Sequence, residues 1–433
     1  MARRPLLASA LTLLLGAPSW AQAPTTQPAA APATQPAPRP VAPAPTPAAP
    51  PAPSAPGPAA APRPERYDPS AYVPRPLEET EAAADRVVAR DLDTKVELVQ
   101  RGNFSLHIGA LLQLQGAFYV GNEAGMQLND AADTEGFRVR RARLAFGGQL
   151  LRHVSYYLGV DLKDTVMIAL GGDRGSEILD ARIAWERFPW AHISVGMDKV
   201  PFSTFAMMSS GRLAIIERPL GVTLVAPDRR VGITVSGRLS RGHAFARYAG
   251  GVYNGSDGVT SGNRMAGTAA AGYLQLGYAV PTVRWEPEPV GVTLSGGYMY
   301  DDGPAVNRHK ASGSLALHGW LFRVTGELLW EKVIPDAQPA AAPASGTFSR
   351  WGLVGEVTAF LWRNYLQAAF RYEYFRDNDQ LPTFGKQQLL SGGINVYLCR
   401  DRLKAQLNYI RRQELEGPGV DNDVGLAQLQ AMF

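Results

Sequence analysis

The run Phe104-Ser105-Leu106-His107-Ile108-Gly109-Ala110-Leu111-Leu112-Gln113-Leu114-Gln115-Gly116-Ala117-Phe118-Tyr119-Val120 decides the fold. Phe104, Leu106, Ile108, Ala110, Leu112, Leu114, Gly116, Phe118 and Val120 share one face of a period-two segment. Ser105, His107, Gln113, Gln115 and Tyr119 share the other, with Leu111 out of phase. Such alternation runs far past the ~5–6 residues usual for a globular strand. A strand tilted across a bilayer needs about 9–11 residues and can continue above it. The stretch therefore reads as a membrane-crossing strand, one face on lipid and one on a polar interior.

The period recurs to the end of the chain. Val154, Tyr156, Leu158 and Val160 alternate with Ser155, Tyr157 and Asp161, and Leu403, Ala405, Leu407 and Tyr409 with Lys404, Gln406 and Asn408. A soluble β-sandwich also alternates, so the connections carry the distinction. Short ones fall at 152–153, 188–190, 240–242, 286–289, 318–320, 362–364 and 400–402, interleaved with longer ones near 121–136, 164–177, 200–230, 254–267, 301–308, 334–347, 376–387 and 413–422. Sorting of loop length by parity is a property of outer-membrane barrels, whose periplasmic turns are short and whose outer loops are long. The reading is an all-β, transmembrane antiparallel β-barrel of about sixteen strands. Phe188, Trp190, Trp285, Trp320, Trp362 and Tyr365 cluster at the short-turn ends, where an interfacial aromatic girdle belongs.

Upstream, Arg3-Arg4, the apolar run from Leu6 to Ala17 and the small residues at Ser19 and Ala21 form a secretory signal pattern over 1–21. Residues 22–76 are Ala/Pro-rich and read as a periplasmic linker. Residues 77–101 hold Leu77, Val87, Val88, Leu92, Val96 and Val99 among charges, the pattern of a short helical or linker segment. The barrel is assigned to 102–433. Residues 1–76 carry six Arg against two acids and 77–101 four basic against seven acidic side chains, which leaves 33 basic against 30 acidic in 102–433, close to neutral for a segment of that length. Any ion preference must then come from where charges sit, and no nucleic-acid partner is expected.

Motif chemistry for catalysis is missing from the sequence. There is no HExxH, GxSxG or P-loop, the six His are scattered, and Cys399 stands alone. No enzyme activity, metal or cofactor is expected. Arginine stands out instead. Arg138, Arg140, Arg141 and Arg143 fall together, and Ala142, Leu144 and Phe146 set the lipid face, which turns Arg141 and Arg143 to the lumen. Arg138 and Arg140 then reach lipid headgroups or outer loops. A lumenal guanidinium can serve an anion path or pair with Asp161, Asp180 or Glu186 on nearby strands; both readings stand. The third long connection, 200–230, is the longest and carries Phe202, Phe205, Met207, Met208 and Ile215-Ile216. A loop this apolar folds into the barrel or packs on a neighbouring subunit.

Several segments resemble the phosphate-selective porin O and P family. They are Gly136-Phe137-Arg138-Val139-Arg140-Arg141-Ala142-Arg143-Leu144, Leu179-Asp180-Ala181, Val195-Gly196-Met197-Asp198-Lys199-Val200-Pro201-Phe202, Glu217-Arg218-Pro219, Arg229-Arg230-Val231-Gly232, Tyr253-Asn254-Gly255 and Gly393-Ile394-Asn395-Val396-Tyr397-Leu398. The resemblance implies a trimeric bacterial outer-membrane porin whose third loop folds inward. It implies passive diffusion of small solutes, anions first, possible phosphate or polyphosphate selectivity among them. The pore-lining, anion-meeting side chains are then Arg141, Arg143, Arg182, Lys199, Arg212, Arg218, Arg229, Arg230 and Arg238. Phe433, a terminal aromatic on an alternating strand, resembles the signal read by the barrel-assembly machinery. A second reading makes the barrel a structural anchor, tied to the cell wall by its Pro-rich segment.

Overall fold

The computed structural model describes residues 92, 96–121, 135–163, 177–255, 267–280, 288–303, 306–335, 346–378, 385–416, 419 and 421–433. The signal and linker expectations for 1–76 lie outside them. Sixteen long strands form one antiparallel sheet that closes on itself. In chain order they are β2 (Phe104–Gly121), β3 (Gly136–Leu151), β4 (Val154–Asp161), β5 (Glu177–Phe188), β6 (Ala191–Lys199), β7 (Arg229–Arg241), β8 (Ala244–Asn254) and β9 (Thr268–Val280). The second half comprises β10 (Glu288–Asp302), β11 (Val306–Trp320), β12 (Phe322–Pro335), β13 (Phe348–Trp362), β14 (Leu366–Arg376), β15 (Lys386–Cys399), β16 (Leu403–Glu414) and β17 (Asn422–Met432). A short strand, β1 (Val96–Arg101), precedes them.

The alternation lands as its periodicity demands. Leu112, Leu114, Phe118 and Val120 face outward and exposed, while Gln113 and Gln115 are buried on the lumenal side. The short turns are tight: Trp320, Arg363 and Arg400 take positive φ there. At one such turn Phe188 stacks on Trp190 and meets Trp185 edge-on, and Trp362 meets Tyr365 at another. No described helix is long and apolar enough to cross a membrane; the strands do so.

Three expectations change. Residues 96–101 are strand, not helix, because the edge of β2 below its pairing with β17 offers backbone hydrogen bonds that an isolated turn of helix cannot match. The connection between β10 and β11 is confined to 303–305, and that between β9 and β10 spans 281–287, so loop length sorts by parity less cleanly than expected. Finally, a bulge in the β2–β3 ladder skips Arg140: Gln113 pairs with Arg141, but Leu114 pairs with Val139. An inserted residue reverses side-chain parity, so Arg138 and Arg140 turn inward with Arg141 and Arg143; of the two expected destinations, the headgroups are not met and an outer loop is, since Arg140 bonds Glu217 of the third connection.

Candidate functional site: the inward-folded third loop

Residues 200–228 leave β6, cross the lumen and return to β7. Their apolar side chains explain the path. Val200, Phe202, Phe205, Leu220, Val222 and Val225 are buried against Tyr253, Ala269, Ala271, Met299, Leu329, Val354 and Phe375 of the wall. Ile216 fills a second cluster with Ala117, Ile410, Val424 and Leu426. Gly297 makes the approach possible, since a Cβ there would lie 2.1 Å from the Phe202 carbonyl oxygen.

A loop buried in a barrel must satisfy its own backbone, and the wall supplies the partners. Two short helices, α1 (Thr204–Met207) and α2 (Leu220–Val225), interrupt the loop. Glu327 accepts from the Thr204 and Phe205 N–H groups at 2.9 and 3.2 Å, and Glu373 from the Leu220 N–H at 2.5 Å. Both carboxylates therefore cap helix N-termini. Amides line the opposite wall: Gln406 and Asn395 donate to the Ala214 carbonyl, Gln113 to Ser210 and Gln430 to Gly211. Lys404 donates to Leu213 and Lys310 to Val225. The motif Gly196-Met197-Asp198-Lys199-Val200-Pro201-Phe202 is the loop's hinge: Asp198 takes Arg182, Lys199 donates to the Met207 and Met208 carbonyls, and Phe202 enters the core.

The four arginines of β3 meet the loop on its other side. Arg140 forks onto Glu217 with Nε–Oε1 2.8 Å and Nη2–Oε2 2.9 Å. Arg138 donates to Gln115, Arg141 to Gln113, and Arg143 to Asp161 and Ser210. Burial alone would raise the Glu217 carboxyl, but Arg140, Arg141 and the Gln115 amide hold it down at about 2.

The remaining expected residues are spread around the lumen. Arg218 donates to the carbonyls of Phe205 and Met208 and to Ser210. Arg212 ends a 3-10 turn, Ser210–Arg212, beside Lys404. Arg229 bonds Asp180 at 2.9 Å, and Arg230 forks onto Asp301 at 2.8 and 2.7 Å. Arg238 stacks on Phe245 lower on the wall. Arg141, Lys199, Arg218 and Arg229 thus come together at one cavity of about 430 Å³ on the loop's face; Arg143, Arg182, Arg212, Arg230 and Arg238 do not line it. Sequence reasoning missed Arg371 and Arg412, which do line it, and the capping pair Glu327 and Glu373. Their signal was a charged residue in the lumenal phase of an alternating strand.

Residues 118–295 match the family described as phosphate-selective porin O and P. A search of curated protein sequences gives no match. Among solved structures, an anion-selective porin from Comamonas acidovorans superposes with TM-score 0.52 at 13% identity, covering 76% of this chain and 100% of that one. OmpF of Salmonella typhi, in complex with daunomycin, gives 0.52 at 9% identity over 78% of this chain and 100% of that one. The outer-membrane channel DcaP of Acinetobacter baumannii gives 0.51 at 10% identity, again over 78% and 100%. At such identities the likeness establishes the fold, a porin-type antiparallel β-barrel, and residues 118–295 of the chain carry the pattern of the phosphate-selective porin O and P family.

Proposed function

We propose that the pore prefers small anions, phosphate-like oxyanions first among them. The observation that carries this reading is the cavity on the third loop. Among the described residues, Arg140, Arg141, Lys199, Arg218, Arg229, Arg371 and Arg412 line it against Glu217, Asp228 and Glu373. Many lumenal arginines are committed to carboxylates or loop carbonyls, so selectivity comes from this local surplus rather than from every basic side chain. A ring of like charge in a narrow, low-dielectric passage lowers the barrier for counter-ions. Arg143, Arg182 and Arg230 are matched by Asp161, Asp198 and Asp301 and add no net charge to the path, while Arg212 and Arg238 are basic side chains elsewhere on the lumen.

In planar bilayers under a salt gradient, the zero-current potential should report chloride over potassium, and phosphate should reduce chloride current. A potassium preference would overturn the anion reading; chloride current indifferent to phosphate would remove the oxyanion preference. The same proposal includes export by residues 1–21, insertion by the barrel-assembly machinery reading Phe433, and a homotrimer. Cross-linking of detergent-extracted protein, showing monomer alone, would remove the last of these.

A further inference from the structure

We propose that the cavity against the third loop takes organic anions, an oxyanion head on a compact apolar body, in preference to bare inorganic ions. This rests on the anion reading above and names the class of anion. Charged side chains are one part of the cavity's lining, and an apolar strip is the other. Leu389 on β15, Ile410 on β16, Val424 on β17 and Tyr119 on β2 put one such side chain on each of four adjacent strands. Ile410 stands opposite Val424 in the ladder, and Val424 opposite Tyr119, so these three run level across the wall. Leu389 is one inward position off that level, since Ser391 is the residue that pairs with Ile410. Ile216 covers part of the strip from the loop, but Tyr119 and Leu389 at its ends stay half-buried and open to the cavity.

The head has a seat beside the strip. Ile216 packs among Ile410, Val424 and Leu426, and the next residue, Glu217, meets the guanidinium groups of Arg140 and Arg141. With Arg218, three guanidinium groups line this end of the cavity against one carboxylate. Arg141 is 4% exposed and its Nη1 donates to Gln113 at 2.7 Å, while its Nε has no hydrogen-bond partner. A buried donor in that state is costly, and an oxyanion oxygen satisfies it. The other guanidinium groups of the lining are matched. Arg371 stands 3.6 Å from Glu356 and 2.7 Å from Glu373, Arg412 3.7 Å from Glu414, and Arg229 between Asp180 and Asp228. The site is therefore built for one head, at the Arg141 end.

A bare phosphate ion gains from the guanidinium groups but gives up hydration against aliphatic walls with nothing in return. An anion whose body covers Tyr119, Val424 and Leu389 instead removes apolar surface from water on both partners. Apolar surface with a few convergent polar groups is the lining that small-molecule sites share. The cavity, at about 430 Å³, is of the size such sites have.

The test is a chain-length series in planar bilayers, in which acetate, butyrate and hexanoate keep one head and lengthen the body. With chloride carrying the current, the concentration that halves it should fall about two- to fourfold per added methylene. Hexanol, the body without the head, should leave the current unchanged. Leu389→Gln should flatten the series, whereas Arg141→Gln should weaken the block by all three carboxylates alike. Heat-modifiable migration on gels identifies the variants that are folded barrels, and the series on the parent protein needs no variant. Acetate and hexanoate halving the current at the same concentration, or hexanol matching hexanoate, would overturn the proposal. So would a series that a folded Leu389→Gln barrel leaves unchanged. Chloride-over-potassium preference is read separately, from the zero-current potential, so failure here is distinguishable from failure of the anion reading.

Discussion

At the scale of single residues, backbone space and buried charge set the sharpest constraints. Gly196 has φ 133°, and a Cβ on it would lie 2.1 Å from the Ala181 carbonyl oxygen. Gly196→Ala should therefore lower the temperature of the gel-shift transition, by strain of about 1–3 kcal/mol or more. Gly355→Ala, on an outward glycine with nothing within 4 Å of its built Cβ, should be close to neutral. Arg230 and Asp301 form a forked pair in which the carboxylate side chain is 1% exposed. They tie β7 to β10 across the lumenal curve, bypassing two intervening strands. Arg230→Ala leaves that carboxylate buried without its guanidinium and should cost about 3–5 kcal/mol. The double change Arg230→Met with Asp301→Leu should recover most of it, as measured by denaturant unfolding in detergent micelles.

At the scale of elements, the third loop is held by two kinds of bond, and each predicts its own response. Phe202 and Phe205 are both essentially unexposed. Phe205→Ala should cost about 3–5 kcal/mol locally, seen as higher and noisier single-channel conductance with the barrel still folded. The Glu217 lock responds to acid. Its carboxyl sits at about 2 against an ordinary 4.5, so its contribution is whole above the ordinary value and is lost as pH falls through about 2. Channel noise should stay flat from neutral pH down to about 5 and rise between about 4 and 2; Glu217→Gln should be noisy throughout. The strands and this loop were legible in the sequence, because period-two alternation and apolar content are local signals. The bulge at Arg140 was not: nothing in Arg138-Val139-Arg140-Arg141 marks which residue the facing strand will skip. Nor was β1, since a strand of six exposed residues carries no alternation and exists through the edge of β2. The capping carboxylates Glu327 and Glu373 read as ordinary lumenal charges until the loop's helix N-termini arrive beside them.

At the scale of the whole molecule, stability depends on a closed ladder, because an open edge in hydrocarbon leaves backbone groups without partners. Closure is made by two pieces of chain in line: β17 pairs with the upper part of β2, and β1 with its lower end. Phe433 sits at the junction, giving and receiving a backbone hydrogen bond with Ala110 at 3.1 Å, while the residue as a whole is 51% exposed. Backbone and ring therefore serve separable ends. Deleting Phe433 removes two ladder bonds at the seam and should lower the gel-shift temperature of protein refolded in detergent. Phe433→Ala keeps the backbone pairing and should leave that temperature nearly unchanged. If the ring is what the assembly machinery reads, Phe433→Ala should nonetheless reduce the amount of barrel in cell membranes several-fold, as immunoblots of membrane fractions would show. Equal membrane levels of Phe433→Ala and parent protein would leave the residue with its seam role alone.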